Sequence, residues 1–207
     1  WGQSEEMWRY HTKNNPFLKP LALYDYIRIF CEKVLGSFKN GEDRVWKMEY
    51  LQYEWIRLTM ENFRRSKWFS GGLVYWMLDD CWPSAGGWSL LDYYALPKAG
   101  YYAFKRAAKP VIASIDCEGG LVSVWVCNDS VSQAVGEFTL FVQSAESGER
   151  TELKKGSFQS EANRAQLVFQ AKGLPVDGNE LLLCELTWAE GTDRAVLYPQ
   201  RPCDLRY

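Results

Sequence analysis

Residues 72–92 read GLVYWMLDDCWPSAGGWSLLD and set three tryptophans (Trp76, Trp82, Trp88) and three acids (Asp79, Asp80, Asp92) among apolar residues. A large ring is stable inside a core, whereas a carboxylate there needs a partner or water, so the mixture predicts an apolar strand running out into a cleft. Ser70, Gly71 and Gly72 break the preceding pattern, and Leu73–Leu78 has strand composition. In a strand, Val74, Trp76, Leu78 and Asp80 share one side, and Tyr75, Met77 and Asp79 share the other. Asp79 and Asp80 then point apart, a poor geometry for two carboxyl groups acting on one bond. The strand offers instead an aromatic wall, Trp76, with the carboxylate of Asp80 further along the same side. The Pro/Gly-rich loop that follows adds Trp82 and Trp88. Beside this binding reading stands a structural one, in which Trp82 and Trp88 pack at a rim and Asp79 and Asp80 accept loop N–H groups.

Upstream of this stretch the period is helical. Ser4 before Glu5 and Glu6 is an N-cap with acids in the first turn, opening a short helix through about Thr12, and Asn14, Asn15 and Pro16 break it. From Pro20, the residues Leu21, Tyr24, Ile27, Phe30, Cys31 and Val34 recur at spacings of three and four, with Gly36 placed as a C′ glycine. After a polar turn over Phe38–Asp43, the segment Arg44–Lys67 puts Trp46, Tyr50, Tyr53, Ile56, Met60 and Phe63 on one face and Arg64, Arg65 and Lys67 in the last turn. A further helix runs from Pro97 through Ala108, with Pro110 as its stop.

Beyond Pro110 the period becomes two. Val111–Ile115, Leu121–Cys127, Phe138–Val142, Gln166–Phe169, Leu181–Thr187 and Ala195–Tyr198 are short β-rich runs separated by turn residues such as Glu118-Gly119-Gly120 and Asp177-Gly178-Asn179. Six or seven strands at that spacing predict an antiparallel β-sandwich, so the chain divides near Pro110 into an α/β part and an all-β part.

Composition narrows the function classes. The 24 basic and 26 acidic residues leave a formal charge of −2 without long blocks, which argues against a nucleic-acid or anionic-membrane partner. No apolar run approaches a membrane span, and the amino terminus, beginning at Trp1, shows no signal-peptide pattern and reads as that of an excised piece. Six cysteines without a CxxC pair are read as mostly reduced and buried, and a single histidine, His11, excludes most His-rich metal sites and leaves a Ser-His-Asp relay one candidate base, beside the commoner reading of a helix-surface or packing histidine. No cofactor or metal is expected. The outlier is the aromatic content, 10 Trp, 12 Tyr and 10 Phe, since Trp and Tyr rings make flat apolar platforms on which sugar rings rest.

The run GGLVYWMLDDCWPSAGGWSLLDYYALPKAGYYAFKRAAKPV (residues 71–111) resembles the end of the (β/α)8 barrel in β-mannosidase-like, exo-acting members of glycoside hydrolase family 2. There a strand ending Tyr-Trp-x-Leu-Asn-Asp-x-Trp-Pro is followed by Trp-Ser, Asp-Tyr-Tyr and a helix with Lys-Ala and Ala-x-Lys-Pro-Val. LQYEWIRLTMENFRRSK (51–67) is similar to the helix before that strand, and VLYPQRPCDLRY (196–207) to the closing strand of the terminal sandwich. The resemblance implies a multidomain α/β plus all-β chain: residues 1–110 as the carboxyl-terminal segment of a TIM barrel, helices and last strand, and 111–207 as an immunoglobulin-like β-sandwich. It implies that Trp76 floors the −1 subsite with Asp80 beside it. Asp79 departs from the pattern, standing where these enzymes carry asparagine and exchanging an amide for an acceptor-only group. The family's acid/base and nucleophilic glutamates come from barrel strands four and seven, upstream of the tryptophan strand. No glutamate of this chain sits in their contexts, so no catalytic residue is named. The expected partners are terminal β-glycosides and the upstream remainder of the barrel, with self-association of the isolated piece through bare strand edges and apolar helix faces. A non-catalytic carbohydrate-binding or interaction module, and a purely structural support for a barrel, stand as alternatives.

Overall fold

A computed structural model describes residues 4–12 and 23–206. The expected break at Asn14–Pro16 and the expected helix start at Pro20 and Leu21 lie outside the described residues. Helix α1 spans Glu5–Tyr10, and the Ser4 hydroxyl accepts from the Met7 N–H at 3.2 Å. Helix α2 spans Leu23–Leu35 and ends on Gly36, whose φ of 78° is the left-handed C′ conformation that glycine adopts without strain. Helix α3 runs Gly41–Arg65, opening three residues before the expected Arg44 because Asn40 Oδ1 accepts from the Asp43 N–H at 2.9 Å. Helix α4 spans Ala99–Ala107.

The expected apolar face of α3 holds in its middle, where Ile56 is buried and Tyr53 and Met60 pack against the core, and is corrected at its ends. Trp46 is 71% exposed and Phe63 is exposed, whereas Leu51, Arg57, Glu61 and Arg64, off the expected face, are buried. Charged residues take inward positions because each is paired. Arg57 forks onto Glu54 at 2.6 Å, Glu61 accepts from the Ser114 hydroxyl at 2.9 Å, and Arg64 donates to main-chain carbonyls. Apolar spacing alone cannot register such positions.

The chain forms two compact units, residues 1–60 with 73–106, and residues 61–72 with 107–207. In the first, a small apolar core gathers Ile56, Leu90 and Ala103 with Tyr53, Tyr75 and Phe104 against it. Leu73–Leu78 is extended in sequence character, yet it joins no strand ladder among the described residues. Its end is tied to the loop beyond by a bridge between Asp79 and Leu91 and by the Leu90 and Leu91 N–H groups, which donate to the Met77 and Leu78 carbonyls at 2.8 to 3.2 Å. Strand pairing needs a neighbouring backbone along its length, and backbone hydrogen bonds with this loop reach only Met77, Leu78 and Asp80 among the described residues.

The second unit is an antiparallel β-sandwich of seven strands: β1 Val111–Glu118, β2 Leu121–Asn128, β3 Ala134–Ser144, β4 Arg150–Ser160, β5 Arg164–Lys172, β6 Glu180–Trp188 and β7 Gly191–Leu197. One sheet is ordered β1-β2-β5 and the other β4-β3-β6-β7, so the chain changes sheet between β2 and β3, β4 and β5, and β5 and β6. Ile115, Val124, Leu140, Leu182 and Leu186 fill the space between them. Five successive positions of β1, Val111–Ile115, are buried, although one sheet face accounts for only alternate ones. The end of α3 meets one of the others, Ser114, whose Oγ accepts from Arg65 at 2.5 Å while donating to Glu61.

Strand β4 escaped the sequence reading. RTELKKGSFQS shows no apolar alternation because it is an edge strand with only Phe158 and Ser160 buried. Its Gly156 pairs with Phe138, whose ring lies where a Cβ would stand, at 2.7 Å. The absent side chain lets the ring cover the edge.

Candidate functional site: an aromatic cleft in the helical unit

The first unit holds a cleft of about 690 Å³, walled by Trp8, Trp55, Tyr75, Trp76 and Trp88. Trp8 is fixed from behind by the Arg44 guanidinium, 5.0 Å from its ring centre. Tyr75 donates its hydroxyl to the Trp88 carbonyl, tying the extended segment to the loop. Burial pushes the Tyr75 phenol above its ordinary pKa, and a hydrogen bond with Gln52 partly offsets the rise. Few polar side chains reach the cleft, and most are engaged. Gln52 donates to the Ser89 carbonyl at 2.9 Å, Glu49 accepts from the first N–H of α4, at Ala99, at 2.5 Å, and Asp92 accepts from the Tyr94 and Leu96 N–H groups at 2.8 Å each.

The site residues expected from sequence do not all meet here. Trp76 and Trp88 line the cleft, and Trp76 remains 71% exposed, its face open. Val74, Trp76 and Leu78 are exposed while Tyr75 and Met77 are half-buried, as strand alternation requires, but the parity then breaks. Asp79 is exposed and Asp80 is buried to 3%, so Asp80 does not share the open side with Trp76. The expectation of a shared side is corrected. The turn pins Asp80 by its own N–H to the Leu91 carbonyl at 3.2 Å, and the Lys98 ammonium meets its Oδ2 at 2.6 Å. Trp82 lies outside the cleft lining, its ring stacked on His11 with centres 4.8 Å apart.

His11 is thereby a fastening. Its Nδ1 lies 2.8 Å from the Pro83 carbonyl, and its own carbonyl accepts from the Ala85 N–H at 2.7 Å. Reading by residue type singled out neither Lys98 nor Trp8. The signal for Lys98 was the buried acid 18 positions earlier, which demanded a cation that spacing could not name. Among the described residues, no group of His, Cys, Asp and Glu side chains has the arrangement of a metal site, and no helix is long and apolar enough to cross a membrane. None of the six cysteines is disulfide-bonded; Cys31, Cys127 and Cys184 are buried and Cys81, Cys117 and Cys203 exposed. Burial pushes the Cys31 and Cys127 thiols up to about 11.

No family model matches the chain. A β-mannosidase B of Thermothelomyces thermophilus is 30% identical over 140 residues, 59% of this chain and 15% of that protein. A β-mannosidase B of Aspergillus niger is 32% identical over 110 residues, covering 51% and 12%. The chain is β-mannosidase-like. It resembles a carboxyl-terminal portion of glycoside hydrolase family 2 proteins. The crystal structure of a β-D-mannosidase from Dictyoglomus thermophilum shares its fold with a TM-score of 0.81 at 21% identity, over 88% of this chain and 23% of that one. An exo-chitosanase from Amycolatopsis orientalis, in complex with PNP-β-D-glucosamine, superposes with a TM-score of 0.74 at 25% identity, over 94% and 24%. This β-mannosidase-like chain thus spans 15% or less of the length of these two curated relatives.

Proposed function

We propose that this chain is the carboxyl-terminal part of a β-mannosidase-like exo-glycosidase that hydrolyses terminal β-linked sugars with retention of configuration. Residues 1–110 are the closing segment of its TIM barrel and 111–207 its immunoglobulin-like sandwich. The acid and nucleophile lie upstream, and this chain contributes the wall of the sugar subsite. The observation that carries the reading is the open Trp76 ring on an aromatic cleft, a flat apolar face of the kind against which the C–H face of a pyranose rests. Trp88 adds a second ring to the wall, whereas Asp79 and Trp82 are not among the residues that line the cleft. Asp80 serves the subsite from behind, through Lys98.

Two measurements test the reading. The 207-residue chain alone turns over no nitrophenyl β-glycoside, whereas the longer protein does, and robust turnover by the short chain would contradict the assignment of catalysis upstream. In the longer protein, Trp76→Ala lowers kcat/KM about 10-fold or more on a nitrophenyl β-mannoside, and an unchanged value would remove Trp76 from the subsite. The bare Val74, Trp76 and Leu78 side chains also support self-association of the isolated chain, read as a mass above the monomer in light scattering.

A further inference from the structure

Lys98 lines the same cleft as Trp76 and Trp88, and its side chain is 14% exposed. Its ammonium donates to Asp80 Oδ2 at 2.6 Å and to Ser89 Oγ at 2.8 Å. An ammonium carries three N–H donors, and among the described residues these two groups are its only side-chain acceptors. The two acceptors are themselves sealed. The Asp80 side chain is 0% exposed and Ser89 is 0% exposed. The Ser89 carbonyl is also held, by Gln52 from the opposite wall. A buried carboxylate and hydroxyl therefore fix the position of a cation whose remaining donor adjoins the cleft. Such an ion pair is a costly way to gain stability, since desolvation offsets much of the attraction, and its geometry is that of a held donor.

We propose that Lys98 determines specificity in the cleft by donating its third N–H to one hydroxyl of the sugar resting on Trp76, with Asp80 and Ser89 as positioning residues behind it. The inference rests on the reading of the cleft as a glycoside site and names the recognition within it. A site built around a desolvated charged donor rejects an analogue that lacks the accepting hydroxyl, because the donor is then left without a partner.

The test uses the full-length protein with a nitrophenyl β-mannoside and its monodeoxy analogues. Wild type is compared with Lys98→Met and with Asp80→Asn/Lys98→Met, the latter removing the buried negative charge that the single change deprives of its ammonium. Both variants lose about 10- to 100-fold in kcat/KM on the parent glycoside. On the single deoxy analogue that lacks the accepting hydroxyl, wild type has already lost that factor and the variants lose nothing further. Equal losses on every analogue would mean that Lys98 merely supports the fold, and would overturn the proposal. Absence of hydrolysis by wild type would defeat the glycosidase reading separately. Tryptophan-fluorescence titration with methyl β-mannoside and its deoxy forms then puts the same comparison to binding. There, a titration unaltered by Lys98→Met, or none in wild type, overturns the inference as well.

Discussion

The sandwich and the helical unit spend burial differently. Between its sheets the sandwich closes on aliphatic side chains, with Ile115, Leu140, Leu182 and Leu186 all exposed by 1% or less. The helical unit has a smaller apolar core, around Ile56, Leu90 and Ala103, and buries the Asp80–Lys98 pair, while leaving Trp46, Trp76, Leu78 and Tyr94 more than 60% exposed. An aliphatic core between two sheets sustains itself. A surface that keeps large rings exposed is one on which a ligand or partner can rest, the use proposed for Trp76. The same residue type therefore sits differently in the two units: a ring in the sandwich, such as Phe138 over Gly156, closes the fold, whereas in the helical unit Tyr53, Tyr75 and Phe104 pack on the core and Trp76 stands open.

The contrast can be broken most directly in the sandwich core. Leu140→Ala, at a fully buried site, is expected to cost about 3–4 kcal/mol in urea unfolding; a loss under about 1 kcal/mol would show the core to be slack. Next comes the guanidinium of Arg64, which donates to the carbonyls of Ala107, Lys109, Pro110 and Cys127 at 2.6 to 3.1 Å. Arg64→Met strands buried acceptors and lowers stability by about 2–4 kcal/mol, and a melting temperature equal to that of wild type would deny Arg64 its role in the sandwich unit.

Alkali gives a smaller effect with a definite sign. The folded Cys127 thiol is raised to about 11 from an ordinary 9.0, so above pH 9 the unfolded chain sheds a proton that the folded one keeps. The stability held by the protonated thiol is fully present below pH 9 and falls progressively as pH rises towards 11, by on the order of 2 kcal/mol; Cys127→Ala flattens that fall. Mass spectrometry after native alkylation at pH 8 should find Cys81, Cys117 and Cys203 modified and Cys127 untouched. The smallest stability effect belongs to the open surface. Val74→Ser, at a side chain 92% exposed, shifts unfolding by less than about 0.5 kcal/mol, and a larger cost would mean that the segment is packed.

Local chemistry carried most of the secondary structure. Ser4 caps α1, Gly36 closes α2 in a left-handed turn, and the alternating runs after Pro110 became strands within a few residues of their expected limits. Each depends on side-chain spacing or on one residue's backbone freedom, both of which are written in the order of the residues. What was misread depended on partners distant in sequence. Apolar counting turned α3 towards Trp46 and Phe63 because it could not see that Glu61 and Arg64 would be matched by Ser114 and by the carbonyls about β1. Of the clustered tryptophans Trp76 and Trp88 line the cleft and Trp82 does not, while Trp8 and Lys98 were not singled out, since one lysine among many is marked only by the acid it meets.

By itself, the sequence determined a helical part, an antiparallel β part and a concentration of rings after Gly72, because hydrophobic period, turn residues and composition are local properties. Tertiary structure alone decided that β4 is a strand, that Asp80 turns away from Trp76 to meet Lys98, and that Trp82 stacks on His11. A strand exists through its neighbour's backbone, and a buried charge through its counterion, so neither is defined until the chain has folded back on itself.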